Sequence, residues 1–123
     1  MRTVMVILQI AAALGLLNVW LLRFDRRTAF RGGDAGSMRE EFAAYGLPVW
    51  FAYVVGTLKV GSALALLAGI WFPALVLPAA ALVCVLMFGA LAMHAKIRDP
   101  LLKSLPALVM LALCAGILWG AMR

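Results

Sequence analysis

The sequence predicts an all-α fold: a four-helix transmembrane bundle with a short cytoplasmic interfacial helix between its first and second membrane helices. Three observations carry this reading. Hydrophobic residues make up 67% of the 123 positions and charged residues only 13%, against about 45–50% and about 25% in ordinary soluble domains. Four apolar segments are each long enough to cross about 30 Å of hydrocarbon at about 1.5 Å per residue. The basic residues gather beside those segments, where they meet anionic headgroups and orient the chain. So short a soluble chain could not hide this much apolar surface from water, which excludes a soluble enzyme, an exported disulfide scaffold and a disordered tail. The chain reads as one membrane domain, residues 1–123.

The first segment covers residues 3–22. Its apolar run is longer than a signal-peptide core and ends in bulky Trp20 and Leu22, so it reads as a span rather than a cleaved leader. A polar loop follows, in which Ser37-Met38-Arg39-Glu40 has the spacing of a capping box. It opens a surface helix over 38–45, with Met38, Phe42 and Tyr45 on one apolar stripe and Gly46 closing it. The second span is residues 48–72 and the third 73–94, joined so tightly between Gly69 and Pro73 that they form an antiparallel hairpin. The fourth runs over 100–122, with Asp99 as N-cap and Pro100 in the first turn. Pro78 and Pro106 fall inside helices and are expected to bend them. Gly61, Ala65 and Gly69 form one small-residue stripe and Gly116 with Gly120 another, allowing close helix approach in lipid. Trp20, Trp50, Trp71 and Trp119 lie near segment ends, as in an aromatic belt. Gln9, opposite Asn18 on the first helix, reads as glue between helices.

Orientation follows from the basic residues. Arg23, Arg26, Arg27, Arg31, Arg39, Lys96, Arg98 and Lys103 belong to one side, and only Arg2 and Arg123 to the other. The positive-inside rule places the two long loops in the cytoplasm and both termini outside it. The net charge of +6 therefore points to a lipid bilayer rather than to nucleic acid, since no basic face with interleaved aromatics lies outside the membrane. Cys84 and Cys114 sit in apolar runs and behave as small hydrophobes.

Lys59 is the most informative residue. It lies roughly 16–20 Å along the helix axis from either end of the second span, deeper than a lysine stem reaches by snorkelling. An ionisable residue at that depth faces the bundle interior or a wet cavity, either in a structural role bonded to backbone carbonyls or in ligand binding or proton handling, the second being the default reading. Its same-face neighbours Ala52, Gly56, Ser62 and Ala63 are all small. The five acids, Asp25, Asp34, Glu40, Glu41 and Asp99, all belong to the loops. Lys59 is thus either neutral or paired with a bound lipid, a quinone carbonyl, an anion or a loop acid folded inward. Asn18, His94 and Tyr45 are the polar residues expected to join it, with Gly56 giving space. One His and two distant Cys supply no metal site. No phosphate loop or nucleophilic triad has the required spacing.

LLNVWLLR, FRGG, EEFAAYGLPVW, VVGTLKVGSALALLAGIW and GALAMHAKIRDPLLKSLPA together resemble the DoxX-like family of small four-helix membrane proteins. The resemblance covers nearly the whole chain. It implies a pocket between the helices near Lys59, Asn18 and His94. Relatives are associated with a thiosulfate–quinone oxidoreductase or with oxidative-stress complexes, and distant eukaryotic cousins look like membrane-protein chaperones. Many members carry an acid where this chain has Lys59. The resulting expectation is an accessory protein of a bacterial inner membrane that binds a quinone or lipid. It has no intrinsic cofactor and works as a homo-oligomer or within a larger membrane oxidoreductase complex. The alternative is a scaffold or chaperone-like interaction protein without a small-molecule site.

Overall fold

A computed structural model describes residues 2–24, 32–33 and 35–122 of the chain. The loop residues Asp25, Arg26, Arg27, Arg31 and Asp34, and the terminal Arg123, on which part of the charge reading rests, lie outside the described residues.

The fold is all-α, as expected. Helix α1 (Arg2–Leu17) continues through a π-helical turn, Asn18–Leu22. The short α2 (Met38–Ala44) precedes α3 (Val49–Ala68). A 3-10 turn, Pro73–Leu75, leads into α4 (Val76–Lys96), and α5 (Leu101–Ala121) completes the chain. Four stretches can cross a membrane by length and composition: Arg2–Leu22, Val49–Ala68, Pro73–Lys96 and Leu101–Ala121. Helix α1 packs on α3 and α5, and α4 packs on α3 and α5, while α1 and α4 stand diagonally without contact. The result is a ring of antiparallel neighbours. One end, the hairpin end, holds the start of α1, the α3–α4 turn and the end of α5. The other, the loop end, carries α2.

The residue pattern is inverted relative to a soluble bundle. Large side chains such as Leu14, Leu64, Val85, Phe88 and Val109 face outward, whereas Ala12, Ala13, Ala52, Ala63, Ala79, Ala80 and Ala107 fill the interior. In lipid an outward Leu costs nothing, and small residues let helices approach closely enough for dispersion and hydrogen bonds to hold them. Gly116 and Gly120 serve α1–α5 packing: a Cβ at Gly116 would touch Leu8, and one at Gly120 would overlap Met5. Gly61 departs from its stripe, because nothing lies within 4 Å of where its Cβ would be. Gln9 ties α1 to α3, its amide donating to the Leu66 carbonyl at 2.9 Å.

Three local expectations are corrected. Pro78 sits in the first turn of α4, where its missing N–H is one the helix leaves unused, so it gives no mid-helix bend; Pro106 does lie inside α5. Asp99 does not cap α5: the N-cap position is Pro100, without a side-chain hydrogen bond. Trp50, Trp71 and Trp119 face outward, but Trp20 is buried at 6% exposure and belongs to the interior. The α2 reading holds. The Ser37 hydroxyl accepts from Glu40 N at 3.2 Å, and the Glu40 carboxylate reaches back to Gly36 N at 2.5 Å. Met38, Phe42 and Tyr45 are all buried beneath this helix.

Candidate functional site

The inward face of α3 carries Ala52, Gly56, Lys59, Ser62, Ala63 and Leu66. Lys59 is only 8% exposed, and its amine lies 4.9 Å from the centre of the Trp20 ring. Gly56 makes this possible, because a Cβ there would come within 2.7 Å of Trp20 Cε3. A cation over an indole face is attracted by the ring quadrupole, more strongly when both are dry. Among the described residues no hydrogen bond or ion pair engages the Lys59 amine. One turn further on, Ser62 Oγ is buried and has no hydrogen-bond partner.

Asn18 does not join Lys59. It faces outward, whereas the buried side of the first span runs through Gln9, Ala13, Leu16 and Trp20. Those positions recur at helical spacing about 180° from Asn18. Trp20 takes the place the asparagine was expected to fill.

At the loop end, side chains from α2, α4 and the α4–α5 connection form a buried polar chain. His94 Nδ1 lies 2.7 Å from Asp99 Oδ2, and His94 Nε2 lies 3.4 Å from the Tyr45 hydroxyl. That hydroxyl donates to Glu41 Oε1 at 2.6 Å. Backbone amides fix both carboxylates: Gly32 N donates to Glu41 Oε1 and Gly33 N to Asp99 Oδ1, each at 3.0 Å. Gly33 is suited to this turn because its φ is +56°. Lys103 reaches the Gly33 carbonyl and stands 3.9 Å from Asp99, and Lys96 donates to the Tyr45 carbonyl at 2.8 Å. Burial works against the Asp99 charge, yet the His94 and Gly33 hydrogen bonds and the nearby cations outweigh it and hold this carboxyl below its ordinary range.

The donor pattern constrains protonation. The ionised Asp99 only accepts, so His94 Nδ1 carries a hydrogen. The Tyr45 hydrogen is committed to Glu41, so Nε2 completes the chain only when the imidazole carries its second proton. A chain running Asp99, His94, Tyr45, Glu41 is therefore continuous with His94 protonated and broken at one link when it is not. Glu41 is itself buried at 7% exposure, so a loop acid does fold inward at this end of the bundle.

The structure thus pairs Lys59 and Gly56 with Trp20 within α3's span and Tyr45 with His94 at the loop end, with Phe42 packed between Trp20 and Tyr45, while Asn18 faces outward. Sequence reading missed Glu41, Asp99, Trp20 and Ser62 as members of the site. The i,i+4 pair Glu41 and Tyr45 on a helix with a buried stripe was a usable signal. His94 and Asp99, straddling the end of α4, were another.

These features define a four-span membrane protein with a buried charged and aromatic site beneath a short helix at one end. The chain belongs to the DoxX-like family, whose model matches residues 29–117. Among curated proteins it is similar to "Uncharacterized protein YdgD" of Bacillus subtilis (strain 168). The two are 34% identical over 83 residues, which cover 67% of this chain and 73% of the relative. No solved structure matches.

Proposed function

We propose that this protein binds an apolar molecule bearing an acceptor oxygen, a quinone or a carbonyl-bearing lipid, in the loop-end half of the bundle. The observation that carries this reading is the inward face of α3, where Ser62 Oγ is buried without a hydrogen-bond partner and the Lys59 side chain, buried one turn away, has its amine against the Trp20 ring. A buried donor without an acceptor costs about 1–3 kcal/mol, more when charged, and a ligand oxygen removes that cost. Trp20 provides an aromatic wall beside the amine, and Gly56 keeps that wall in place. His94, through Tyr45 and Glu41, is a proton source at the same end. The chain supplies hydrogen bonds and protons; electrons for any redox step would come from a partner subunit of a membrane complex.

In this reading the loop end faces the cytoplasm of a bacterial inner membrane and both termini lie outside, because the basic residues concentrate beside α2 and the α4–α5 connection. A reporter fused after Arg123 is expected to be active only outside the cytoplasm. Mass spectrometry of protein purified in mild detergent is expected to show one bound quinone or lipid per chain. Lys59→Met is expected to lose it while keeping its helical circular dichroism. A wild-type sample with no bound molecule, or a Lys59→Met sample that retains it, overturns the reading.

A second reading, an interaction protein, draws support from Gly61, which faces outward in open space as a helix-docking glycine does. It predicts a co-purifying membrane protein that survives Lys59→Met and is lost on Gly61→Leu.

A further inference from the structure

The hairpin end holds a cleft of about 530 Å³ that the loop-end site does not use. It lies where α1 and α4 stand apart across the ring, walled by Val6, Ala74, Leu77 and Ala121, with Gln9 on its floor and Arg2 beside its mouth. The Arg2 guanidinium donates to the Ile70 carbonyl at 3.3 Å, which draws it over the α3–α4 turn. A guanidinium has five N–H donors, so one such bond leaves most of the fork for an anionic oxygen. Among the described residues no acid opposes it: Glu40 and Glu41 belong to α2 and Asp99 to the α4–α5 connection. The outward Trp71 and Trp119 mark this as headgroup depth.

A charge at headgroup depth beside an apolar cleft at the end of the bundle fits one class of occupant. We propose that this cleft binds one anionic phospholipid, its phosphate on Arg2 and one acyl chain in the gap between α1 and α4. The apolar walls distinguish the lipid from free phosphate, and the planar fork suits phosphate oxygens. The site is independent of the reading at Lys59, which does not line this cleft.

Delipidated protein in maltoside micelles, titrated with phosphatidylglycerol and phosphatidylcholine of identical chains and read by native mass spectrometry, tests this. The wild type is expected to retain phosphatidylglycerol about tenfold better, the equivalent of one charge-assisted hydrogen bond. Arg2→Gln is expected to equalise the two lipids. Ala74→Trp, placed on an outward position in the turn, is expected to weaken binding of both. Equal retention of the two lipids by the wild type overturns the proposal, as does a preference that survives Arg2→Gln or binding untouched by Ala74→Trp.

Discussion

Gly56 and Trp20 are shaped to each other: a Cβ on Gly56 would lie 2.7 Å from Cε3 and 2.9 Å from Cζ3 of the indole. Because the ring is rigid and buried, Gly56→Ala must push it off the Lys59 amine. The expected cost is about 1–3 kcal/mol, as for other overpacked cores. Thermal unfolding in micelles measures it, and a changed tryptophan emission reports the displaced ring. Unaltered stability and emission would show that the ring is not held there.

Lys59→Met separates stability from binding. Removing a buried amine that lacks an acceptor is expected to stabilise ligand-free protein by about 1–3 kcal/mol, while the bound molecule is lost. Denaturation of delipidated samples checks the first part. A destabilised variant would mean that Lys59 holds the bundle together.

Tyr45→Phe removes one donor to the buried Glu41 and the hydroxyl facing His94. The expected loss is about 1–3 kcal/mol. The chain has one histidine, so nitrogen-labelled histidine reports this site alone by NMR, and its Nε2 signal is expected to move more than Nδ1, which stays against Asp99.

Asp99 gives the protein an acid limit. Its folded carboxyl titrates below the ordinary 3.8, so the folded state binds the proton less readily than the unfolded chain does. That stabilisation is fully present above the unfolded value and fades as pH falls through the folded one. Asp99→Asn is expected to lower stability at neutral pH and to flatten its fall as pH drops below about 5. Parallel wild-type and variant curves would remove Asp99 as the cause.

How much of the site was legible varies by residue. Lys59 announced itself because an ionisable residue in the middle of an apolar run has few explanations. Asn18 misled because helical spacing defines a face but not which neighbour it meets; the inward face of α1 turned out to be that of Gln9 and Trp20. Asp99 before Pro100 had the local signature of a cap, and a tertiary partner, His94, took its carboxylate instead.

The amino-acid sequence by itself determined the number and length of the membrane spans, the hairpin, the surface helix with its capping, and the depth of Lys59. Each of these depends on neighbours within a few turns and on the hydrocarbon thickness. Only the tertiary structure decided that Trp20 covers the amine, that Glu41 folds inward, and that His94 links α2 to the α4–α5 connection. Such pairings join residues such as Tyr45 and His94 across 49 positions. They depend on which faces of the four helices turn toward one another, and apolarity on every side leaves that choice to packing and buried hydrogen bonds.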